Sequence, residues 1–255
     1  SRSRRGEPAL SRCAPTGFIL SPGSGRAALA LIVVVAAILR LAGVHWDDGT
    51  HLHPDERFVT MVTQALGRGS LEPAGPRANE RLAECKRVHP PAGAGPWLDT
   101  GCSDWSPANV GFPFYPYGIL PPAAVKGAAL ALARAGWPDA ASYAGIPTVG
   151  RIAATAADLA LWCAFLLGRA IGGRRAGLAA AALYAFAILP LQLARFFTVD
   201  PFANALAALA LVFAVRAVAN AKVADLVAFG FASGLAAACK LSLVPLLALA
   251  VPVAF

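Results

Sequence analysis

Charge is what this sequence has least of. Only 14% of its 255 residues are Asp, Glu, Lys or Arg, against 57% hydrophobic. A soluble domain normally carries nearer a quarter, so an ordinary water-soluble fold is excluded. The mean hydropathy of +0.59 agrees. Acidic residues are the scarcer sign, 14 against 22 Lys and Arg, which leaves a net charge of +8. That excess does not point to nucleic acid, because it sits beside apolar runs. Arg2, Arg4 and Arg5 precede the first run; Arg169, Arg174 and Arg175 separate two later ones; Arg216 and Lys222 fall between the next two. This is the positive-inside distribution of a membrane protein. Cysteine is sparse, five residues, and forms no metal-ligand pattern with histidine. An initiator Met is missing before Ser1, and the chain stops at Phe255 inside the apolar run SLVPLLALAVPVAF. It therefore reads as the N-terminal part of a longer protein.

What is abundant is apolar length. The runs match the roughly 20 residues needed to cross a hydrocarbon layer of about 30 Å. The expected fold is all-α, a polytopic transmembrane bundle of about five to six spans with a large extracytoplasmic first loop. Residues 1–26 form a basic cytoplasmic tail and 27–44 the first span, with Arg40 near its far end free to snorkel outward. Residues 45–147 are the outer loop, rich in Pro and Gly, and 148–255 hold the remaining spans. Those spans are expected at Arg151–Leu167, Ala176–Leu193, Phe202–Val218 and Asp225–Phe255. The last is read as two short helices folded back at Lys240–Leu241–Ser242. Within the loop, Arg57–Leu66 follows a proline and an acidic pair, a good helix start. Pro122–Ala135 carries Lys126 and Arg134 on a short apolar stretch, which suits a helix lying on the membrane surface. No internal repeat is evident.

With the N-terminus inside, three polar features reach one outer face: the large loop, the turn bearing Asp200, and Lys240. The loop opens with His51-Leu-His53-Pro-Asp55-Glu56-Arg57. A carboxylate there can accept a proton from an incoming hydroxyl, amine or amide, although both acids also suit the start of a helix. Arg195-Phe-Phe-Thr-Val-Asp200-Pro201 places a second acid at a span boundary, either as a functional group or as a cap. Lys240 can hold a phosphate or simply snorkel. His51 and His53 are weak candidates for a divalent metal, and His53 better serves to position Asp55. Arg151 and Asp158 lie seven apart on one helix face, with Asp158 read as structural and in want of a partner. Cys85 and Cys102, both in the loop, are a disulfide candidate closing about 17 residues, worth about 3 kcal/mol if formed. Cys13, Cys163 and Cys239 read as small apolar side chains. The aromatic and proline stretch Trp105–Gly118, including Phe112, Tyr115 and Tyr117, suits either sugar rings or the lipid interface.

In order and placement these pieces resemble the polytopic GT-C glycosyltransferases, specifically the glycosyltransferase family 39 type that holds protein O-mannosyltransferases and the aminoarabinose transferases of lipid A. The resemblance rests on HPDERF opening the loop, FPFYPYG before an interfacial helix, a span opening VGR, the turn RFFTVD and the segment GLAAACKLS, and it covers the chain from about residue 27. It implies a polyprenyl-phosphate sugar donor and transfer to a protein, lipid or glycan acceptor on the outer face. No cofactor is required by that chemistry. Asp55, with Glu56 beside it, and Asp200 match the family's acids and Lys240 its lysine near the donor phosphate; cations such as Lys240 and Arg195 can stabilise the charge that develops there. His53, Arg57, Tyr115 and Tyr117 complete the substrate-binding set. The long first loop and its Cys pair depart from the family's pattern. A transporter or flippase, a non-catalytic assembly protein, or a hydrolase of lipid-linked substrates are the competing classes. The transferase reading requires Asp55, Asp200 and Lys240 to share one cavity mouth; a transporter would place its key groups near the bilayer midplane.

Overall fold

The structure is a computed structural model describing residues 22–67, 84, 87 and 102–250. Residues 1–21 of the expected tail, with Cys13, as well as Cys85 and residues 251–255, lie outside the described residues, while residues 22–26 belong to the first helix. Among the described residues the chain is helical and has no strand.

Helix α1 spans Pro22–Leu41, ending three residues before the expected limit, and is followed by turns to Gly49. Helix α2, Pro54–Ala65, begins earlier than Arg57 for a local reason. His53 is extended and its ring accepts from the Glu56 N–H, Pro54 occupies the first turn without needing a donor, and Asp55 and Glu56 meet the helix dipole. Helix α3 is Leu120–Arg134 and α4 is Ile146–Asp158. The buried residues of α4 include Pro147, Arg151, Ala154, Thr155 and Asp158, the stripe of a helix with one face inward.

Helix α5, Leu161–Phe186, is two helical arms. Gly172 and Gly173 leave the helical region, and Gly173 at φ 75° takes a conformation that favours glycine. The arms return against each other: Gly168 lies close to Ala176 and Ala180, and Gly177 to Phe165 and Arg169. The basic residues Arg174 and Arg175 are thus at a hairpin, and Arg174 packs on Gly25 at the start of α1. A short helix α6, Ile188–Leu193, follows a break at Ala187. Pro190 accounts for it, because its ring conflicts with the carbonyl four residues earlier. Helices α7, Asp200–Asn220, and α8, Val223–Cys239, form the most closely packed helix pair. The helix ends at Lys240, which is extended, and a 3-10 segment, Leu241–Leu249, returns Leu246 and Ala250 onto Leu226 and Phe229.

Among the described residues two stretches, 146–186 with the breaks given above and Asp200–Asn220, pass as long and apolar enough to cross a membrane by length and composition. Large apolar side chains stand exposed along several elements, among them Ile171, Leu183, Ile188, Val223 and Phe231. On a soluble protein that surface would be a liability; on this one it suits contact with lipid.

Two expectations about charge are corrected. Arg40 does not snorkel. It is buried, bonds the Asp158 carboxylate from α1, and donates to the carbonyl oxygens of Ala36 at 3.2 Å and Ala185 at 3.1 Å. Asp158 also accepts from the Tyr184 hydroxyl at 2.7 Å. Lys126 does not face outward from a surface helix either. It is 1% exposed, and its ammonium donates to the Gln64 carbonyl at 2.7 Å. The last carbonyls of α2 lack helical partners and carry negative dipole charge, so a cation from α3 is favoured there.

Candidate functional site

One end of the bundle collects the turn after α1, the start of α2, the start of α4, the turn entering α7 and the end of α8. At its centre is a buried clamp. Arg151 from α4 holds Glu56 through two parallel bonds of 2.7 Å, Asp47 at 2.8 Å and the Val44 carbonyl at 2.8 Å. One Glu56 oxygen also accepts the Phe197 N–H at 2.8 Å. Glu56 is 0% exposed, so both of its oxygens are committed inside the protein. Arg151 lies 5.6 Å from the Trp46 ring, which shields the clamp further. The guanidinium is planar and forked, suited to two carboxylates at once. Asp47, hydrogen-bonded to Arg151, is held down to a pKa of about 2.

The clamp fixes the spacing of two acids on either side of it. Asp55, adjacent to Glu56, is exposed on the first turn of α2. Asp200 begins α7, three residues beyond Phe197, and pairs with Lys240 at 2.7 Å with both side chains about one-third exposed. Tyr117 joins them. Burial, then the charges of Asp55 and Asp200, push its phenol pKa up, with Lys240 opposing. The Asp200–Lys240 pair and Asp55 thus all act electrostatically on this hydroxyl. Tyr117 arrives there because the Gly118 N–H bonds the Cys239 carbonyl at 2.9 Å. A side chain at Gly118 would collide with the Ala238 carbonyl, so only glycine lets the FPFYPYG loop lie on the end of α8. Tyr115 packs edge-on against Tyr117 and near Phe58, and its burial raises its pKa.

The remaining candidates scatter. His53 caps α2 and stacks on Phe196 at 4.1 Å, whereas His51 stacks on Tyr143 at 4.2 Å and is held by Asp47 through its backbone N–H. The two imidazoles thus turn to different partners. No group of three His, Cys, Asp or Glu stands together among the described residues. Arg57 is exposed on α2. Arg195 reaches across α1, packing along Gly43 and donating to the Leu39 carbonyl at 3.4 Å. Cys102 is disulfide-bonded, while Cys163 and Cys239 are free thiols.

An apolar groove of about 500 Å³ runs between α3, α4, the start of α5, α7 and the end of α8. Its lining includes Leu120, Trp162, Leu206 and, next to the site residues, Phe202 and Cys239.

The sequence reading missed Arg151 as the organiser and Asp47 as its second acid. A signal existed: an arginine at the start of an apolar span requires a buried acid, and two acids lay at the mouth of the preceding loop.

Residues 148–255 match the family described as dolichyl-phosphate-mannose-protein mannosyltransferase. Over that segment the chain is similar to this GT-C type family of glycosyltransferases. The matched segment contains Arg151, Asp158, Asp200 and Lys240; Asp55, Glu56, Tyr115 and Tyr117 lie before it. Neither a curated protein nor a solved structure matches the chain.

Proposed function

We propose that the chain is the donor-binding and catalytic part of a GT-C membrane glycosyltransferase that moves a sugar from a polyprenyl phosphate to an acceptor on the extracytoplasmic face. What supports this reading is the Asp200–Lys240 pair at 2.7 Å, which with Asp55 acts on the Tyr117 phenol and stands close in the chain to Phe202 and Cys239 of the apolar groove. The prenyl chain lies in the groove, and its phosphate meets Lys240.

The chemistry is a displacement at the anomeric carbon. The acceptor oxygen attacks that carbon, the bond from the sugar to the phosphate oxygen breaks, and polyprenyl phosphate leaves with the electron pair. Asp55 takes the acceptor proton. Its exposure leaves it room to reach an incoming hydroxyl. Lys240 stabilises charge growing on the phosphate, and Asp200 aims Lys240 through the 2.7 Å bond. Glu56 is a positioning residue, because its oxygens are occupied by Arg151 and the Phe197 N–H. Tyr117, kept protonated by its raised pKa, donates a hydrogen bond to the sugar or the phosphate. Arg195, reaching over α1, is left out of the donor site.

The test is product formation by the full-length protein in nanodiscs, offered a panel of polyprenyl-phosphate sugars and followed by mass spectrometry of the released polyprenyl phosphate. Release from at least one donor, dependent on an acceptor and lost with a non-transferable analogue, is the expected result. Silence with every donor and acceptor offered, in protein that is folded, would remove the transferase reading.

A further inference from the structure

A second cleft, of about 410 Å³, opens at the same end of the bundle and shares no lining residue with the apolar groove. Trp46, Ile188, Leu191, Gln192, Arg195 and Phe196 line it. Its chemistry is lopsided. The walls are apolar, and Arg195 is the single charged residue among them. That guanidinium is exposed, and its bond to the Leu39 carbonyl is a long one, 3.4 Å, using one of five N–H donors. A cation over an apolar slot calls for a ligand with an anionic head and a hydrocarbon body.

The surroundings say where the body runs. Ile188 and Leu189 are 82% and 64% exposed, and Leu183 and Phe186 continue the apolar strip down the second arm of α5. The cleft therefore opens onto the surface the protein presents to lipid. Trp46 stands at the polar end, as aromatic residues do at the boundary of a bilayer, with Phe196 edge-on to it at 5.4 Å. Arginine is also the side chain best shaped for a phosphate.

We propose that this cleft binds an anionic membrane lipid, with its phosphate on Arg195 and an acyl chain against Ile188 and Leu191. The site is distinct from the donor groove and does not depend on the transfer reading. It has a consequence for that reading, however. Phe196, in the cleft wall, stacks on His53, the cap of the helix that carries Asp55. A lipid seated there braces the contact and steadies the start of α2.

The experiment uses full-length protein in phosphatidylcholine nanodiscs doped with phosphatidic acid that carries a photoactivatable acyl chain, with adducts mapped by peptide mass spectrometry. Adducts are expected on Trp46 and on residues 188–196. They should fall at least tenfold in Arg195→Gln, recover substantially in Arg195→Lys, and vanish in Leu191→Trp, which fills the slot and leaves the charge. Unlabelled phosphatidic acid should compete, while phosphatidylcholine and millimolar inorganic phosphate should not. Equal labelling by a phosphatidylcholine probe, adducts indifferent to Arg195→Gln or Leu191→Trp, or competition by inorganic phosphate alone would each overturn the proposal. So would competition by polyprenyl phosphate as strong as by phosphatidic acid, which would make the cleft the donor's. None of these readouts requires catalysis, so a failed transfer assay leaves the result interpretable.

Discussion

Two arginines are buried among the described residues, and they differ in what surrounds them. Arg151 meets two carboxylates and a backbone carbonyl and holds together segments distant in the chain: Val44 and Asp47, Glu56, and through Glu56 the Phe197 turn. Arg40 meets one carboxylate, Asp158, and leaves its Nη2 without a hydrogen-bond partner. Its links run between helices, from α1 to α4 and to the second arm of α5. Both pairs offset the cost of a buried charge with a fixed geometry. The first joins the segments that carry the proposed site, the second joins helices of the bundle. Buried ion pairs in one chain thus divide between setting a site and setting a scaffold, and the division is visible in which segments they join.

Replacing Arg151 by Met should give the largest effect. It leaves Glu56 and Asp47 buried and unpaired, a loss of about 3–5 kcal/mol, and it frees the turn that spaces Asp55 from Asp200. Transfer per folded molecule should fall as well, and the double variant Arg151→Met/Glu56→Gln, in which only Asp47 is left unpaired, should recover part of the stability in thermal unfolding without recovering transfer. Arg40→Met sharpens the contrast. Its cost should sit at or below the lower end of the same range, since Asp158 keeps the Tyr184 hydroxyl. Transfer per folded molecule should stay at the wild-type level, and a matching loss of transfer would erase the distinction between the two arginines.

Smaller again is Lys240→Ala. The pair with Asp200 is about one-third exposed, so stability should change by about 1 kcal/mol or less. The KM for donor should rise about tenfold, the equivalent of about 1.4 kcal/mol of binding, while Asp200→Asn should reproduce part of that rise. The smallest effect is that of acid. Asp47 is held down to about 2 from an ordinary 3.8. A carboxylate whose folded pKa is lowered stabilises the fold above its unfolded value and loses that contribution as the pH falls through the folded one. Unfolding temperature should therefore decline between pH 4 and pH 2, with a shallower decline in Asp47→Asn.

Much of the site was legible in local sequence. HPDE announced the start of α2 through a proline and two acids. The reversal between Arg169 and Arg175 was legible as basic residues between apolar runs, and the one at Lys240 as a charge within such a run, whereas the part of Gly172 and Gly173 was not read. Partnerships between distant segments were not. Nothing near Arg40 says that it turns inward to Asp158, nor near Lys126 that it closes α2. The division of labour between Asp55 and Glu56 was hidden for the same reason: adjacent acids at a helix start look alike until a helix from further along the chain supplies Arg151.

The measurement that bears most directly on the account separates binding from chemistry in Asp55→Asn, using single turnovers of the full-length protein with a reactive donor and, in parallel, donor affinity without acceptor. With Asp55 as the base, affinity should stay within about twofold while turnover falls by about 10²–10⁴, in protein whose unfolding temperature is unchanged. Turnover at the wild-type rate would reduce Asp55 to a helix cap and contradict the assignment.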